Sequence, residues 1–236
     1  MGSTGDFDNL VRSSSMNMRS QSGEMKVDLH IHSKYSHDGV LGSEEIVRIA
    51  KQRGLSGIAI TDHDTIRGGQ EAKQYETADF KVIVGAEIIT EKGEITGLFL
   101  TKEVRSRSLQ DVVAEIRAQN GMVIVPHPFD RLRRAAFHIT EEYIGLVDAI
   151  EGFNSRCIFQ RYNTKATEFA AQHNLPVVGG SDAHYASEIG LGGIITTSNN
   201  IRNAIVHSDL RLFGKGSSLL NHARTKIRKL RSNTAK

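Results

Sequence analysis

MKVDLHIHSKYSHDG, residues 25–39, decides the fold. Residues alternating along a strand face one side, so His30 and His32 at the end of the apolar run beginning at Val27 can aim at a single point in space. Four later segments repeat the pattern of His, Asp or Glu at the end of an apolar run: TDHD (61–64), GAE (85–87), PHP (126–128) and SDAH (181–184). Asp38 follows His32 by six residues, and Asn154 closes the run ending in EGFN.

Working outward, short β-branched runs alternate with helical patterns. Strands are expected at Val27–His30, Gly57–Thr61, Lys81–Ala86, Ile95–Leu100, Met122–Pro126, Asp148–Phe153 and Pro176–Gly180. Between them, helices are expected over Ser43–Arg53, Arg67–Tyr75, Ser108–Gln119 and Phe159–His173, from apolar positions at helical spacing. Ser43 and Ser108 suit helix starts, Gly54 and Gly121 helix stops. Strands alternating with helices predict an α/β fold with a largely parallel sheet, and runs such as VIVGA and GIAIT suit strands buried on both faces. In a barrel of parallel strands the C-terminal strand ends converge on one face, where βα loops build sites. His30, His32, His63, Glu87, His127, Asp182 and His184 all fall at or just beyond such ends.

Composition bounds the rest. The chain has 236 residues, 39% hydrophobic and 24% charged, with no apolar run near the ~18 residues of a membrane span. Residues 1–24 are polar and rich in Ser, Gly and Met, without the apolar core of a secretory signal, and read as a disordered extension or a remnant of cloning. Residues 25–210 are expected to form the catalytic domain. Cys157 is the single cysteine, which excludes an intramolecular disulfide and a thiolate metal cluster and fits a cytoplasmic setting. The net charge of +3 conceals an asymmetry: residues 211–236 carry eight Lys or Arg and no acid, against 22 cations and 27 acids in the rest. That tail reads as part helical, with Leu212, Phe213, Leu219, Leu220, Ile227 and Leu230 partly docked. Alternatively it grips nucleic acid or another acidic surface through charge alone.

Imidazoles and carboxylates without thiolate suit Mn, Zn or Fe, with Mg as a further candidate, and the inventory is large enough for two ions that share a carboxylate. Two such ions can lower the pKa of a shared water and neutralise attacking and leaving oxygens in a phosphoryl displacement. The chemistry expected is hydrolysis of a phosphate ester by metal-activated water. Neither Cys157 nor any serine has a nucleophile-base signature.

HIHSKYSHDG, ITDHDT, VGAEI, VPHPFD, EGFN and GGSDAH together resemble the PHP (polymerase and histidinol phosphatase) superfamily, in particular its stand-alone phosphoesterases, from Met25 to about Ile195. The resemblance implies a distorted (β/α)7 TIM-like barrel, a metal site at the C-terminal strand ends holding two or three divalent ions, and hydrolysis of phosphomonoesters or phosphodiesters. It implies His30, His32, Glu87 and Asp182 around one ion and Asp38, His63 and His184 around a second. Glu87, bridging, and His127 would hold a third. Asp182, His184 and Glu87 are the catalytic candidates, and Arg134 and Arg156, which follow the PHP and EGFN motifs, are the candidate phosphate contacts. One departure is evident: GEITGLFL supplies no histidine between Glu87 and His127, and the sequence favours neither Glu91 nor Glu94 as a substitute over a solvated turn. The substrate expected is a nucleotide, sugar phosphate or short oligonucleotide. The alternatives are a 5′-to-3′ exonuclease on short RNA or DNA, helped by the basic tail, and a non-catalytic nucleic-acid-binding scaffold. Nothing in the sequence speaks to oligomeric state.

Overall fold

A computed structural model describes residues 23–233, with side chains as far as Arg228. Residues 1–22, and with them most of the expected extension, lie outside the described residues, as does the side chain of Leu230. The order is β1 (Met25–Ile31), α1 (Ser43–Gln52), β2 (Gly57–Ile60), α2 (Arg67–Lys73), β3 (Lys81–Thr90), β4 (Gly93–Leu98), α3 (Leu109–Arg117), β5 (Met122–Val125), β6 (Ala149–Asn154), α4 (Gln160–Gln172), β7 (Val177–Gly180), β8 (Gly192–Thr196), α5 (Ile201–Val206), β9 (Arg211–Gly214) and α6 (Leu219–Asn233).

All seven expected strands and four expected helices form. The sheet is more mixed than the sequence suggests: its order is β7-β6-β5-β4-β3-β2-β1-β8-β9. The pairs β1/β2, β2/β3, β5/β6 and β6/β7 are parallel, whereas β4 runs antiparallel to β3 and β5, and β8 to β1 and β9. A tight turn after Thr90, too short for a crossover helix, is what forces β4 to reverse. Short, glycine-rich β8 and β9 gave no run long enough to read as strands. Because Arg211–Gly214 pairs with β8, the sheet reaches four residues into the basic segment.

Alternate residues sort into layers. Val27, Leu29, Ala59, Ile83, Met122, Ile124, Ala149 and Val178 cluster between strands. Ile31, Ile58 and Ile60 pack with Ile46, Val47 and Ala50 of α1, while Val123, Val125 and Ile150 pack with Val112 and Ile116 of α3 and Ala166 and Ala170 of α4. A register shift in β1 between Asp28 and Ile31 breaks the alternation, so that Leu29 is interior, Ile31 is outside, and His30 and His32 turn inward.

The sheet nearly closes into a barrel where β1 meets the chain leaving β7. Ile31 and Ala183 form a parallel bridge, and the His32 amide donates to the Ala183 carbonyl at 2.8 Å. Buried Asp28 accepts from the amides of Ser181 (2.9 Å) and Gly190 (2.8 Å), a staple across the seam. Burial pushes its carboxyl up to about 6 against those hydrogen bonds. Gly180 is required there, since a Cβ would lie 2.3 Å from the His30 Cβ. At the other terminus α6 docks through polar Asn221 and Thr225, which are buried. Leu219, Leu220 and Ile227 face outward, opposite to the docking expected of them, because the surface below α6 is a hydrogen-bonding network and not an apolar one.

Candidate metal centre

The strand ends deliver the eight expected ligands to one buried mouth. His30 and His32 come from β1, Asp38 from the loop after it, His63 from the end of β2, and Glu87 from β3. His127 follows β5, and Asp182 and His184 follow β7; all are buried except His63, which is mostly so. His127 (φ 31°) and Asp182 (φ 55°) adopt left-handed backbone at which a side chain costs of the order of 1–3 kcal/mol, strain that concentrates at functional sites.

In the first cluster, His30 Nε2 lies 3.1 Å from His32 Nε2. Asp182 Oδ1 is 3.9 and 3.4 Å from these two nitrogens, and the Glu87 carboxylate 3.6 and 3.5 Å. The remote nitrogens decide what those atoms are. His30 Nδ1 meets Glu151 Oε1 at 3.0 Å, and His32 Nδ1 meets Ser36 Oγ at 3.0 Å, whose own proton goes to Asp62 Oδ1 at 2.8 Å. Both imidazoles can donate from Nδ1, and the short gap between their Nε2 atoms is then bridged by a cation: a proton on His30, which burial opposes but Glu151, Asp182 and Glu87 favour well above the usual imidazole range, or a metal ion. Asp182 Oδ1, buried, accepts no hydrogen bond among the described residues. Two imidazole nitrogens and a buried carboxylate oxygen without a hydrogen bond converge on one point, a donor set that fits a divalent ion of the kind the fold family implies.

A second cluster groups His32, Asp38, His63 and His184. Asp38 Oδ2 is 2.9 Å from His184 Nε2 and 3.5 Å from His63 Nε2, while His184 Nδ1 donates to the Asp182 carbonyl at 2.8 Å. A third groups His63, Glu87 and Glu94, with His63 Nδ1 3.2 Å from Glu87 Oε2 and 3.9 Å from Glu94 Oε1; His127 Nε2 borders it, 3.0 Å from Glu87 Oε1 and 3.8 Å from Glu94 Oε2. His37 stacks on His63 with ring centroids 4.9 Å apart.

Electrostatics follow from burial opposed by neighbours. Burial works against ionisation of Asp182 and Glu87, yet Arg133 and His30 hold Asp182 well below the carboxylate range, and His30 and His127 do the same for Glu87. Burial likewise fails against His184 and His63 at Asp38, which stays ionised. His32 falls to about 3 through burial and the charge of His184. His63 rises to about 9 because Asp38, Glu87 and Glu94 overcome its burial. Glu94 is pushed up to about 7 by burial and by Glu87.

The arginines fall differently from expectation. Arg134 is exposed, and Arg156 is buried in an ion pair with Glu188 (2.7 Å) and a hydrogen bond to Thr225 (3.1 Å). Arg133 is the one turned into the mouth: Asp130 holds its Nε at 3.2 Å, and its Nη2 meets Asp182 Oδ2. Sequence reasoning also missed Glu151. Its Oε1 fixes His30, and its Oε2 accepts from the His127 amide (2.8 Å) and Asn154 Nδ2 (2.9 Å). An acid inside the apolar run of β6 was the available signal.

The PHP domain model matches residues 28–177 and the PHP-associated model residues 160–208, and the chain belongs to the PHP domain family. It is 38% identical over 144 residues to the uncharacterized protein MJ1587 of Methanocaldococcus jannaschii, covering 56% of this chain and 82% of that one. It is 33% identical over 143 residues to the 5′-3′ exoribonuclease of Haemophilus influenzae, covering 58% of this chain and 50% of the enzyme. In fold it is similar to a two-domain protein of Bacteroides vulgatus containing a predicted PHP-like metal-dependent phosphoesterase. That match has a TM-score of 0.65 at 20% identity, over 81% of this chain and 65% of that one. Distorted TIM-like barrels are the family's architecture, and the nearly closed sheet here is of that kind. No helix among the described residues is long and apolar enough to cross a membrane.

Proposed function

We propose that this chain is a metal-dependent phosphoesterase hydrolysing a phosphomonoester or phosphodiester of a nucleotide, sugar phosphate or short oligonucleotide. The observation that carries the reading is the convergence of the His30 and His32 Nε2 atoms with Asp182 Oδ1 and Glu87, each imidazole locked by its far nitrogen. When bound, Mn, Zn, Fe or Mg would polarise phosphoryl oxygens and lower the pKa of an attacking water. The eight expected residues, His30, His32, Asp38, His63, Glu87, His127, Asp182 and His184, would hold the cations. Glu151 and Ser36 fix the imidazole tautomers, and Asn154 and Arg133 orient Asp182. Arg133 is a cation turned into the mouth and, freed from Asp182, has a planar fork suited to two phosphate oxygens. The His184 side chain lies beside the same mouth, where it serves the second cation or protonates a leaving alcohol.

The test is phosphate release from nucleoside monophosphates, bisphosphates, sugar phosphates, model diesters and 5′-labelled short RNA with each metal added in turn. Metal-dependent turnover supports the reading; bound metal without turnover on any of them counts against it.

A second reading, 5′-to-3′ exonuclease, draws on the exoribonuclease relative and on α6, whose Arg224, Lys226 and Arg228 are exposed on a helix tied to Arg156 beside the mouth. Neutralising those three to Gln should weaken activity on RNA and flatten its salt dependence while sparing a small phosphate ester. Equal effects on both substrates would remove this reading.

A further inference from the structure

We infer that Glu188 is a positioning residue for His184, and that the C-terminal helix α6, through Thr225 and Arg156, supplies part of what holds it. The inference rests on the phosphoesterase reading for its purpose, and its support comes from residues that hold no cation in that reading.

Glu188 is a fully buried acid that the proposed chemistry does not use. Its two oxygens face different parts of the chain. Oε2 accepts from the main-chain amides of His184 (2.9 Å) and Tyr185 (3.2 Å), and Oε1 from Arg156 Nη1 (2.7 Å) and Ser217 Oγ (2.6 Å). Four donors fill the acceptor sites of a carboxylate, and a buried charge persists only when it is satisfied in this way. A cap for the single helical turn Ala186–Glu188 accounts for the Tyr185 contact. It does not account for the arginine or for Ser217, which tie the same carboxylate to the residues beneath α6.

Two routes lead from α6 to Glu188. On the first, Arg156 bridges the gap: Nη1 meets Glu188, Nη2 donates to Thr225 Oγ1 at 3.1 Å, and its main-chain amide donates to Asn154 Oδ1 at 2.9 Å. Thr225 gives its own proton to the Asn221 carbonyl at 3.1 Å, which leaves a lone pair for the arginine. On the second, Asn221 Nδ2 donates to Ser187 Oγ (3.2 Å) and Ser217 Oγ (3.4 Å). Thr225, Arg156, Glu188 and His184 thus form a continuous polar strut, every member of it buried. At its far end the His184 ring is fixed by Nδ1 on the Asp182 carbonyl (2.8 Å), with Nε2 facing Asp38 Oδ2 (2.9 Å). The position of the main chain at 184 therefore sets where Nε2 falls in the second cluster. The family models end at residues 177 and 208, so the α6 part of this support lies outside the matched domain.

The experiment reads main-chain amides in the metal-free, full-length chain and needs no substrate. Thr225→Val keeps the side-chain shape and the cations of α6 but removes the acceptor of Arg156; Thr225→Ser returns it, and Ala223→Ser, at an exposed position of α6, is the control. In 1H–15N spectra the His184 and Tyr185 amides should shift in Thr225→Val, return in Thr225→Ser and stay in Ala223→Ser, with faster solvent exchange at both in the valine variant alone. Glu188→Gln, which loses one acceptor oxygen, should shift them further and weaken binding of the second cation ~10–100-fold, the cost of losing an outer partner. With a small phosphate ester, Thr225→Val should lower kcat and leave KM nearly unchanged. Unmoved His184 and Tyr185 amides in Thr225→Val, or an equal shift in Ala223→Ser, overturn the strut whatever the chain hydrolyses. Shifted amides in a chain whose wild type binds metal but turns over no phosphate ester uphold the strut and overturn the phosphoesterase reading.

Discussion

Two kinds of strand feed the same mouth, and they obey opposite rules. Parallel β1, β2, β5 and β7 present His30 and His32, His63, His127, and Asp182 and His184 at or just past their C-terminal ends. Reversed β4 presents Glu94 at its second residue, because the N-terminal end of an antiparallel strand lies on the face where its neighbours finish. A search for polar residues at strand C-termini thus finds the parallel set and passes over the reversed one. The direction of the strand, more than the sequence position within it, decides which end reaches the site.

The largest effect should separate these two sets. Glu87→Ala removes a donor shared between clusters and Asp182→Ala the carboxylate of the first, and metal count and turnover should both collapse, by more than the ~10–100-fold that loss of an outer partner costs. Glu94→Gln, at the edge of the mouth, should cost far less than either. Full activity in either alanine variant would break the comparison, and a collapse in Glu94→Gln as deep as theirs would erase the distinction between the strand sets.

Next in size is Glu151→Gln. An amide cannot accept from His30 Nδ1, the His127 amide and Asn154 at once, so one of them loses its partner and His30 loses its fixed tautomer. Metal affinity should fall ~10–100-fold with the fold intact, read by titration calorimetry and circular dichroism. Unchanged affinity would mean that the tautomer of His30 does not need Glu151.

How much was legible follows the same division. The candidate ligands on parallel strands could be placed at the mouth because each ends an apolar run, and a run plus its last polar residue is a local signal. Glu94 could not be resolved from Glu91, since both stand in one polar turn and only the pairing with β3 and the contact of Gly93 with Phe137 tell them apart. Those are long-range facts. The same holds for the basic residues after the PHP motif: three arginines within four positions look alike until Asp130 catches Arg133. β8 and β9 went unread because their apolar content is only what is needed to cover β1, β6 and β7, too short to show a period.

A smaller effect tests that catch. Arg133→Lys keeps the charge but loses the fork, and kcat/KM for a phosphate ester should fall about 10–100-fold, in keeping with the ~1.5–3 kcal/mol of a charge-assisted hydrogen bond. Arg134→Gln, at an exposed position, should change it less than twofold. A larger loss at Arg134 than at Arg133 would restore the reading from sequence position.

The smallest effect concerns Cys157, which also follows a parallel strand, three residues beyond β6, and by position alone would qualify for chemistry. Position is not sufficient when the side chain is sealed: Cys157 is 7% exposed, and burial pushes its thiol up, past the opposing pull of Arg133 and with the help of Asp130, Glu151 and Asp182. The thiolate is the reactive form, and an ordinary thiol near 8.5 is appreciably ionised at pH 8. A raised pKa moves that ionisation to higher pH, so Cys157 in the folded chain should alkylate with iodoacetamide far more slowly than in urea, with a rate still climbing above pH 9. Cys157→Ala should keep both metal count and turnover. Rapid labelling at pH 7, or a variant that loses turnover while keeping its metals, would show that the end of β6 contributes chemistry as well as the support Glu151 provides, and the rule separating the two strand sets would need to admit a second kind of donor on the parallel side.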